Sequence, residues 1–432
     1  MATARDARFA RVHVVQAAKP DIKDVISHHR QAKEKGMEIL RRVVRWRIML
    51  FLAWAFLCFM CNESGGGSPA HSSGISLVWG RTTIADDPPI YKDNGLDARH
   101  LHAGTFGDDY PRALNLADGS WLLVFTTFAQ GDSGYLLNHS GGNILVILRS
   151  KDDGRTWAKV SVISDPGRDI DNGEMIQLTD GAILLAARSV RWQESYRLPV
   201  YKSSDNGVTW KLLSSIDSNE GKPGELGMPD KGVYEPHFYQ ISPGVLGVMF
   251  STEKHVTESP SYSQTVAEKI STDGGRSWGN EIWVAAGGPL DRPGMPVWTR
   301  MKNGQFIVVY EVCGPQACMI HSKISSDGMR WGPGLGTPIP LERGAPYLLC
   351  LADGHLVLTA NNHHVAMSND NGESWDAVND AFPGGPKAAF FSSIYEIRPD
   401  HILLMTGQER PQGGRRIAIR DGEIVPRSTS TH

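Results

Sequence analysis

Short apolar runs separated by two-residue polar breaks recur along most of this chain. Six segments have the form strand, tight turn, strand: ALNLADGSWLLVF, MIQLTDGAILLAA, FYQISPGVLGVMF, VWTRMKNGQFIVVY, YLLCLADGHLVLT and IYEIRPDHILLM. Asp-Gly and Asn-Gly between alternating apolar runs are strong hairpin signals, because glycine accepts the positive φ that such turns require. Each of the first five segments is followed by another strand-like run and then by a second recurring phrase. That phrase is SKDDGRTW at 150–157, with copies SSDNGVTW, STDGGRSW and SNDNGESW and a shortened SSDGMRW. A further strand contains or follows its Trp. One unit is therefore a four-stranded antiparallel meander of roughly 45–65 residues.

Six matched units predict an all-β fold, a six-bladed β-propeller, in which radial closure leaves few exposed edges. The last unit stops soon after RRIAIRDGEIV without a copy of the phrase. The strand-like ISLVWGRTTI near the start is expected to complete that blade and close the ring.

The recurring phrase has the chemistry of a turn. Its Asp can accept hydrogen bonds from backbone N–H groups two residues on, and its Gly takes the positive-φ position. Its Trp buries a large surface between sheets. A calcium loop does not fit, since each copy carries one or two carboxylates and calcium takes six or more oxygens. The phrase is expected to be a structural staple.

Before residue 79 the pattern changes. A basic stretch, RRVVRWR at 41–47, leads into the apolar run IMLFLAWAFLCFM at 48–60, followed by the polar CNESGGGSPAHSSG. The run is short for a membrane span of ~20 residues and fits the h-region of a secretory signal, about 7–15 residues. The expected division is an N-terminal extension at 1–36, with Met37 an alternative start, and a signal peptide or signal anchor at 37–61. A Gly/Ser-rich linker at 62–78, the propeller at 79–425 and a tail at 426–432 follow. Either form of the signal exports the propeller: secreted if cleaved, held at the membrane only through 48–60 if not.

Composition adds exclusions. A formal net charge of -3 and no basic stripe in the body of the chain argue against nucleic acid as a partner. Of five cysteines, Cys58 and Cys61 lie in the signal region. Cys313 and Cys318 flank GPQA, where a local disulfide and two buried thiols remain alternatives. No His/Cys spacing suggests zinc, and neither a metal nor a cofactor is expected. A monomer is expected.

Blade topology says where chemistry belongs. If each first strand runs down the axis, the recurring phrases lie on the bottom face. A pocket on the opposite face is then built from first-strand starts and second-strand ends. Those positions carry Arg112, Glu174, Glu235, His237, Arg292, Tyr347 and Phe391, and then Arg188, Glu253 and Glu311. Charges set in apolar strands are costly unless paired or wet. Converging carboxylates and arginines suit glycoside chemistry, one carboxyl protonating the leaving oxygen and another acting as nucleophile or base.

The SxDxGx[TS]W phrase in blade register resembles the Asp-box, or BNR, repeat of the sialidase superfamily over roughly residues 80 to 422, which implies a six-bladed propeller with Asp-box turns. A sialidase carries a Tyr nucleophile at an inner-strand start in the last blade; in KAAFFSSIYEI that place holds Phe391, and Tyr395 lies further down. GVYEPHFYQI, MFSTEKH with SYSQTVAEKI, and DRPGMPVWTRMKNGQFIVVYE together resemble the exo-arabinanase family of the same superfamily. That resemblance implies a retaining exo-glycosidase, with Glu235 as acid/base and Glu311 as nucleophile. It makes Glu174, Arg188, Glu253, Gln264 and Arg292 substrate-binding or supporting, and Arg112, His237 and Tyr347 line the same pocket. Arg188-Ser189-Val190 stands where the family is expected to have Arg-Asn-His. The expected partner is an oligo- or polysaccharide. An exo-α-sialidase and a non-catalytic glycan- or protein-binding propeller are the alternatives.

Overall fold

The computed structural model describes residues 74–88, 107–128, 143–191, 194–221, 231–361, 365–378, 380–383, 389–411 and 413–426, all within one compact unit, His71–His432. The extension and signal segment expected at 1–61, the first part of the expected linker at 62–73 and the tail from 427 to 432 lie outside these residues. Among the described residues, no helix is long and apolar enough to cross a membrane.

Strand β1 (Ile75–Asp86) comes first. Blade 1 follows as β2 (Gly107–Asn115), β3 (Trp121–Phe128), β4 (Ile144–Ser150) and β5 (Ala158–Ile163). Blade 2 is β6 (Asp169–Gln177), β7 (Ile183–Arg191), β8 (Ser195–Ser203) and β9 (Lys211–Glu220). Blade 3 is β10 (Val233–Ser242), β11 (Val245–Thr252), β12 (Thr265–Ser271) and β13 (Ile282–Ala286). Blade 4 is β14 (Arg292–Arg300), β15 (Phe306–Cys313), β16 (Met319–Ser325) and β17 (Thr337–Arg343). Blade 5 is β18 (Tyr347–Cys350), β19 (Leu356–Thr359), β20 (Val365–Ser368) and β21 (Asp376–Val378). Blade 6 is β22 (Phe390–Arg398), β23 (His401–Glu409) and β24 (Arg415–Pro426), completed by β1, which pairs antiparallel with β24. The first and last strands thus share one sheet, as ISLVWGRTTI predicts. Strand β1 starts four residues inside the stretch read as linker.

Inner strands β2, β6, β10, β14, β18 and β22 touch in that cyclic order, and β22 returns to β2. Apolar faces of neighbouring sheets form the core. One cluster joins Leu122, Val124 and Leu145 of blade 1 to Ile170, Ile183 and Leu185 of blade 2. Another joins Leu184 and Val200 to Val248 and Phe250 of blade 3.

The recurring phrase forms the staple expected of it. In its second copy, Ser203 Oγ accepts the Gly207 N–H at 2.8 Å, and Asp205 accepts the Thr209 N–H at 2.9 Å and its hydroxyl at 2.6 Å. The Asp therefore reaches four residues on, not two, and Gly207 takes φ +86°. These bonds hold the exposed Asp205 carboxyl down at about 2. The Trp210 indole N–H bonds Gly207 O within its own turn and Ser161 Oγ on β5, so this box is tied to the preceding blade. Trp278 repeats this with Ser214 on β9.

Candidate active site

Every inner strand enters the ring through the same defect. Tyr110, Asn172, Glu235, Met295, Ala345 and Phe391 occupy equivalent places, one per blade, and all have φ between +44° and +58°. Register slips flank five of them within their strand pairs, as bulges do. Positive φ at such residues costs about 1 kcal/mol or more each, so the surrounding fold must impose it. The bulge turns each residue toward the axis: Tyr110, Met295, Ala345 and Phe391, from four blades, pack in one cluster. Two residues later the strands present a second layer, which includes Arg112, Glu174, His237 and Tyr347.

The second layer is a buried floor. Arg112 Nε lies 3.7 Å from Glu174 Oε2, and its guanidinium stacks over Tyr110 at 4.1 Å and Tyr347 at 4.9 Å. His237 Nε2 lies 3.9 Å from Glu174 Oε1, and its ring sits edge-on to Tyr347. Burial pushes Glu174 up to about 8, against the pull of Arg112. Burial, reinforced by Arg112, pushes His237 down to about 3. At neutral pH the floor holds a protonated carboxyl and a neutral imidazole, whose Nδ1 has no partner among the described residues. Deeper still, Tyr395 accepts the Ala113 N–H through its hydroxyl and packs against Tyr347 and Trp121.

Above the floor stand two half-buried carboxyls. Glu235 Oε2 accepts the Ser251 hydroxyl and the Met295 N–H, both at 2.9 Å. Glu311, on β15 directly opposite Gly294, accepts the Ala345 N–H at 2.7 Å. Gly294 has no room for a side chain: a Cβ there would lie 2.4 Å from the Gln264 amide nitrogen. Burial raises both carboxyls. For Glu235 the rise is opposed by the Arg188 charge and the two hydrogen bonds. Glu311 reaches about 7, with the nearby Glu235 charge adding to burial. The two groups therefore titrate as neighbours. Ionising one disfavours ionising the other.

Along one wall, Glu253 ties three elements together. Its Oε2 accepts Gly232 N–H and the Tyr234 hydroxyl, and its Oε1 accepts Arg292 at 2.5 Å. Arg292 also donates to Gln264 Oε1, while the Gln264 amide donates to Pro293 O. Across the pocket, Arg188 forms a two-point pair with Asp171 at 2.6 and 2.5 Å and lies over the Tyr234 ring. All ten candidates from the sequence thus sit in this one network, with Gln264 arriving from the start of a third strand. Tyr110, Asp171, Ser251 and Met295 belong to it too and were missed. A signal for the bulge was present: Pro follows Tyr110, Glu235, Met295 and Ala345 in four of the six blades.

At the rim, Cys313 and Cys318 form a disulfide, which settles the alternatives left open by GPQA. Both sulfurs and a Glu311 carboxylate oxygen lie within 4.8 Å of one another. With the sulfurs bonded to each other, this group offers a cation only one carboxylate and does not fit a metal centre.

Solved structures place the fold. The chain superposes on the α-L-arabinofuranosidase Arb93A of Fusarium graminearum, in complex with an iminosugar inhibitor, with TM-score 0.64 and 20% identity, covering 80% of this chain and 98% of that one. It superposes on the Penicillium chrysogenum α-L-arabinanase, complexed with arabinobiose, with TM-score 0.62 and 19% identity over 80% and 98% of the two chains. The microbial sialidase Hz136 gives TM-score 0.53 and 12% identity over 76% and 66%. The fold is the sialidase-type six-bladed propeller shared by these glycosidases. No family model matches the chain. Among curated proteins, the xyloglucanase Xgh74A of Acetivibrio thermocellus is 26% identical over 266 residues, 55% of this chain; the chain spans about 29% of that relative's length.

Proposed function

We propose that this protein is an exported, retaining, exo-acting glycoside hydrolase that trims arabinofuranosyl units from the ends of an arabinan-type polysaccharide. One observation carries the reading: Glu235 and Glu311, from neighbouring blades, each accept the backbone N–H of the next blade's bulge residue, Met295 and Ala345, with both carboxyls raised. A retaining glycosidase needs such a pair, one carboxyl to protonate the leaving oxygen and one carboxylate to attack the anomeric carbon.

In the proposed cycle Glu235 gives its proton to the glycosidic oxygen while Glu311 forms an ester with the anomeric carbon. Glu235, now ionised, takes a proton from water, and hydroxide character at that oxygen releases the sugar from Glu311. The motif resemblance assigns these roles. Donor count in the free protein leans the other way, since Glu235 accepts two hydrogen bonds and faces Arg188 while Glu311 accepts one. Azide rescue separates the two: added azide gives a glycosyl azide of inverted configuration when the residue replaced by Ala is the nucleophile, and of retained configuration when it is the acid/base.

Substrate recognition follows from charge. Arg188 and Arg292 are each already matched by a carboxylate, Asp171 and Glu253, while Arg112 stacks on Tyr110 and Tyr347 beside the Glu174 carboxyl. A three-arginine clamp for a sialic acid carboxylate would need Arg188 and Arg292 to give up these partners. Phe391 offers no hydroxyl, and Tyr395 lies below the pocket with its hydroxyl bonded to backbone. The uncharged Glu174, His237 and Tyr347 side chains beside Arg112 suit the hydroxyls of a sugar. Release of arabinose from linear arabinan, and none of sialic acid from sialyl-lactose, is the expected result. Release of sialic acid alone would overturn the reading.

A further inference from the structure

We propose that the Cys313–Cys318 disulfide is a positioning element for Glu311, so that its reduction switches the site down without unfolding the propeller. This inference rests on the reading of Glu311 given above.

Strand β15 carries Glu311 and ends in Cys313; β16 begins one residue after Cys318. The connecting turn is awkward for its residues. Ala317 and Cys318 both take positive φ, +52° and +56°, without being glycine. Two backbone bonds, Ala317 N–H to Gly314 O at 3.0 Å and Met319 N–H to Gln316 O at 3.1 Å, act within the turn alongside the disulfide. Non-glycine residues in this region persist only when their surroundings impose it. The disulfide supplies that constraint.

From the turn, two short connections lead to the carboxyl. Cys318 O accepts the Gly344 N–H at 2.8 Å. The next residue, Ala345, donates its N–H to Glu311 Oε2 at 2.7 Å, the one hydrogen bond to that side chain among the described residues. Ala345 is itself a buried bulge residue at φ +44°. Arg343 reinforces the link by donating to Gln316 O at 3.2 Å. The same sulfurs lie within 4.8 Å of the carboxylate. The disulfide is only half-buried, so a small dithiol can reach it. Reduction takes two electrons and two protons from the dithiol, which closes to its own disulfide, and leaves two thiols free to rotate away.

The test compares oxidised protein, protein reduced with dithiothreitol, and the C313S/C318S double variant. Two readouts are used: turnover on linear arabinan, and the Glu311 titration followed by carbon NMR with glutamate labelled at its carboxyl, assigned by Glu311→Gln. Circular dichroism confirms that each form keeps its β-sheet signal. Reduction and the double variant should each lower kcat about 10-fold or more with little change in KM, and should move the Glu311 titration further above that of an ordinary carboxyl, because the Ala345 N–H that pulls it down is lost. An unchanged titration and unchanged kcat in the folded reduced protein would overturn the proposal. Oxidised protein inactive on every glycan would defeat the functional reading alone, because the titration still reports whether the disulfide positions Glu311. If the variant does not fold, reduction of the purified native chain gives the same comparison.

Discussion

Glu235 accepts the backbone N–H of Met295 at 2.9 Å, and Met295 follows the glycine that lies directly opposite Glu311. Met295 of β14 therefore holds the Glu235 carboxyl, while its neighbour Gly294 faces the backbone of Glu311, whose own carboxyl is held by Ala345. Positive φ at Met295 aims that N–H, and the absence of a side chain at Gly294 leaves space for Gln264 and Ser251. Replacing Gly294 by Ala forces a Cβ into the Gln264 amide. The variant should lose kcat about 100-fold through misplacement of the Glu235 carboxyl, which Ser251 and Met295 hold, while arabinobiose binding falls less. Steady-state kinetics with isothermal titration calorimetry check this.

Glu174→Gln should flatten the pH dependence of stability. Its folded carboxyl titrates near 8 where an unfolded one titrates near 4.5. The raised value means the neutral form is favoured in the fold. Its contribution is complete below pH 4.5 and is lost as pH rises through 8. Thermal unfolding at pH 5 and pH 9 should show a larger drop in Tm for the native protein than for Glu174→Gln. Equal drops would remove Glu174 as the cause.

Trp210→Ala should weaken the fold and spare the chemistry. The indole fills the gap between blades 1 and 2 and bonds Ser161. Large-to-small changes of this kind cost about 3 kcal/mol. Denaturant unfolding should show that loss, with kcat of the folded fraction within about twofold of the native value. A loss of kcat comparable to that of a Glu235 variant would move the boxes into the site.

Phe391→Tyr should not create sialidase activity. The ring at 391 packs against Tyr110, 5.5 Å between centroids, and Arg188 and Arg292 are each held by a carboxylate of this chain. Assay on sialyl-lactose before and after the change should show no sialic acid in either case.

Much of this was legible in the chain. Six hairpin phrases and five box phrases counted the blades, and ISLVWGRTTI announced the closing strand, because strand and turn chemistry is local. The face of the ring that bears Glu235 and Glu311 followed from counting strand reversals. What local pattern could not show was the bulge. Whether Glu235 or Pro236 faces the axis depends on one residue adopting positive φ, and that is imposed by packing around the whole ring. For the same reason the sequence grouped Glu235 with His237, which the structure sorts into separate layers. The pairing of Cys313 with Cys318 likewise depended on a turn whose left-handed residues, Ala317 and Cys318, carry no glycine signal.

The central claim is that Glu235 and Glu311 form one catalytic pair acting with retention. Proton NMR of the sugar first released from linear arabinan reads it most directly, comparing native protein with Glu235→Gln and Glu311→Gln. Native protein should release the anomer with the same configuration as the bond cleaved, and each variant should be slower by about 1,000-fold or more. Release of the inverted anomer, or full activity in either variant, would contradict the account.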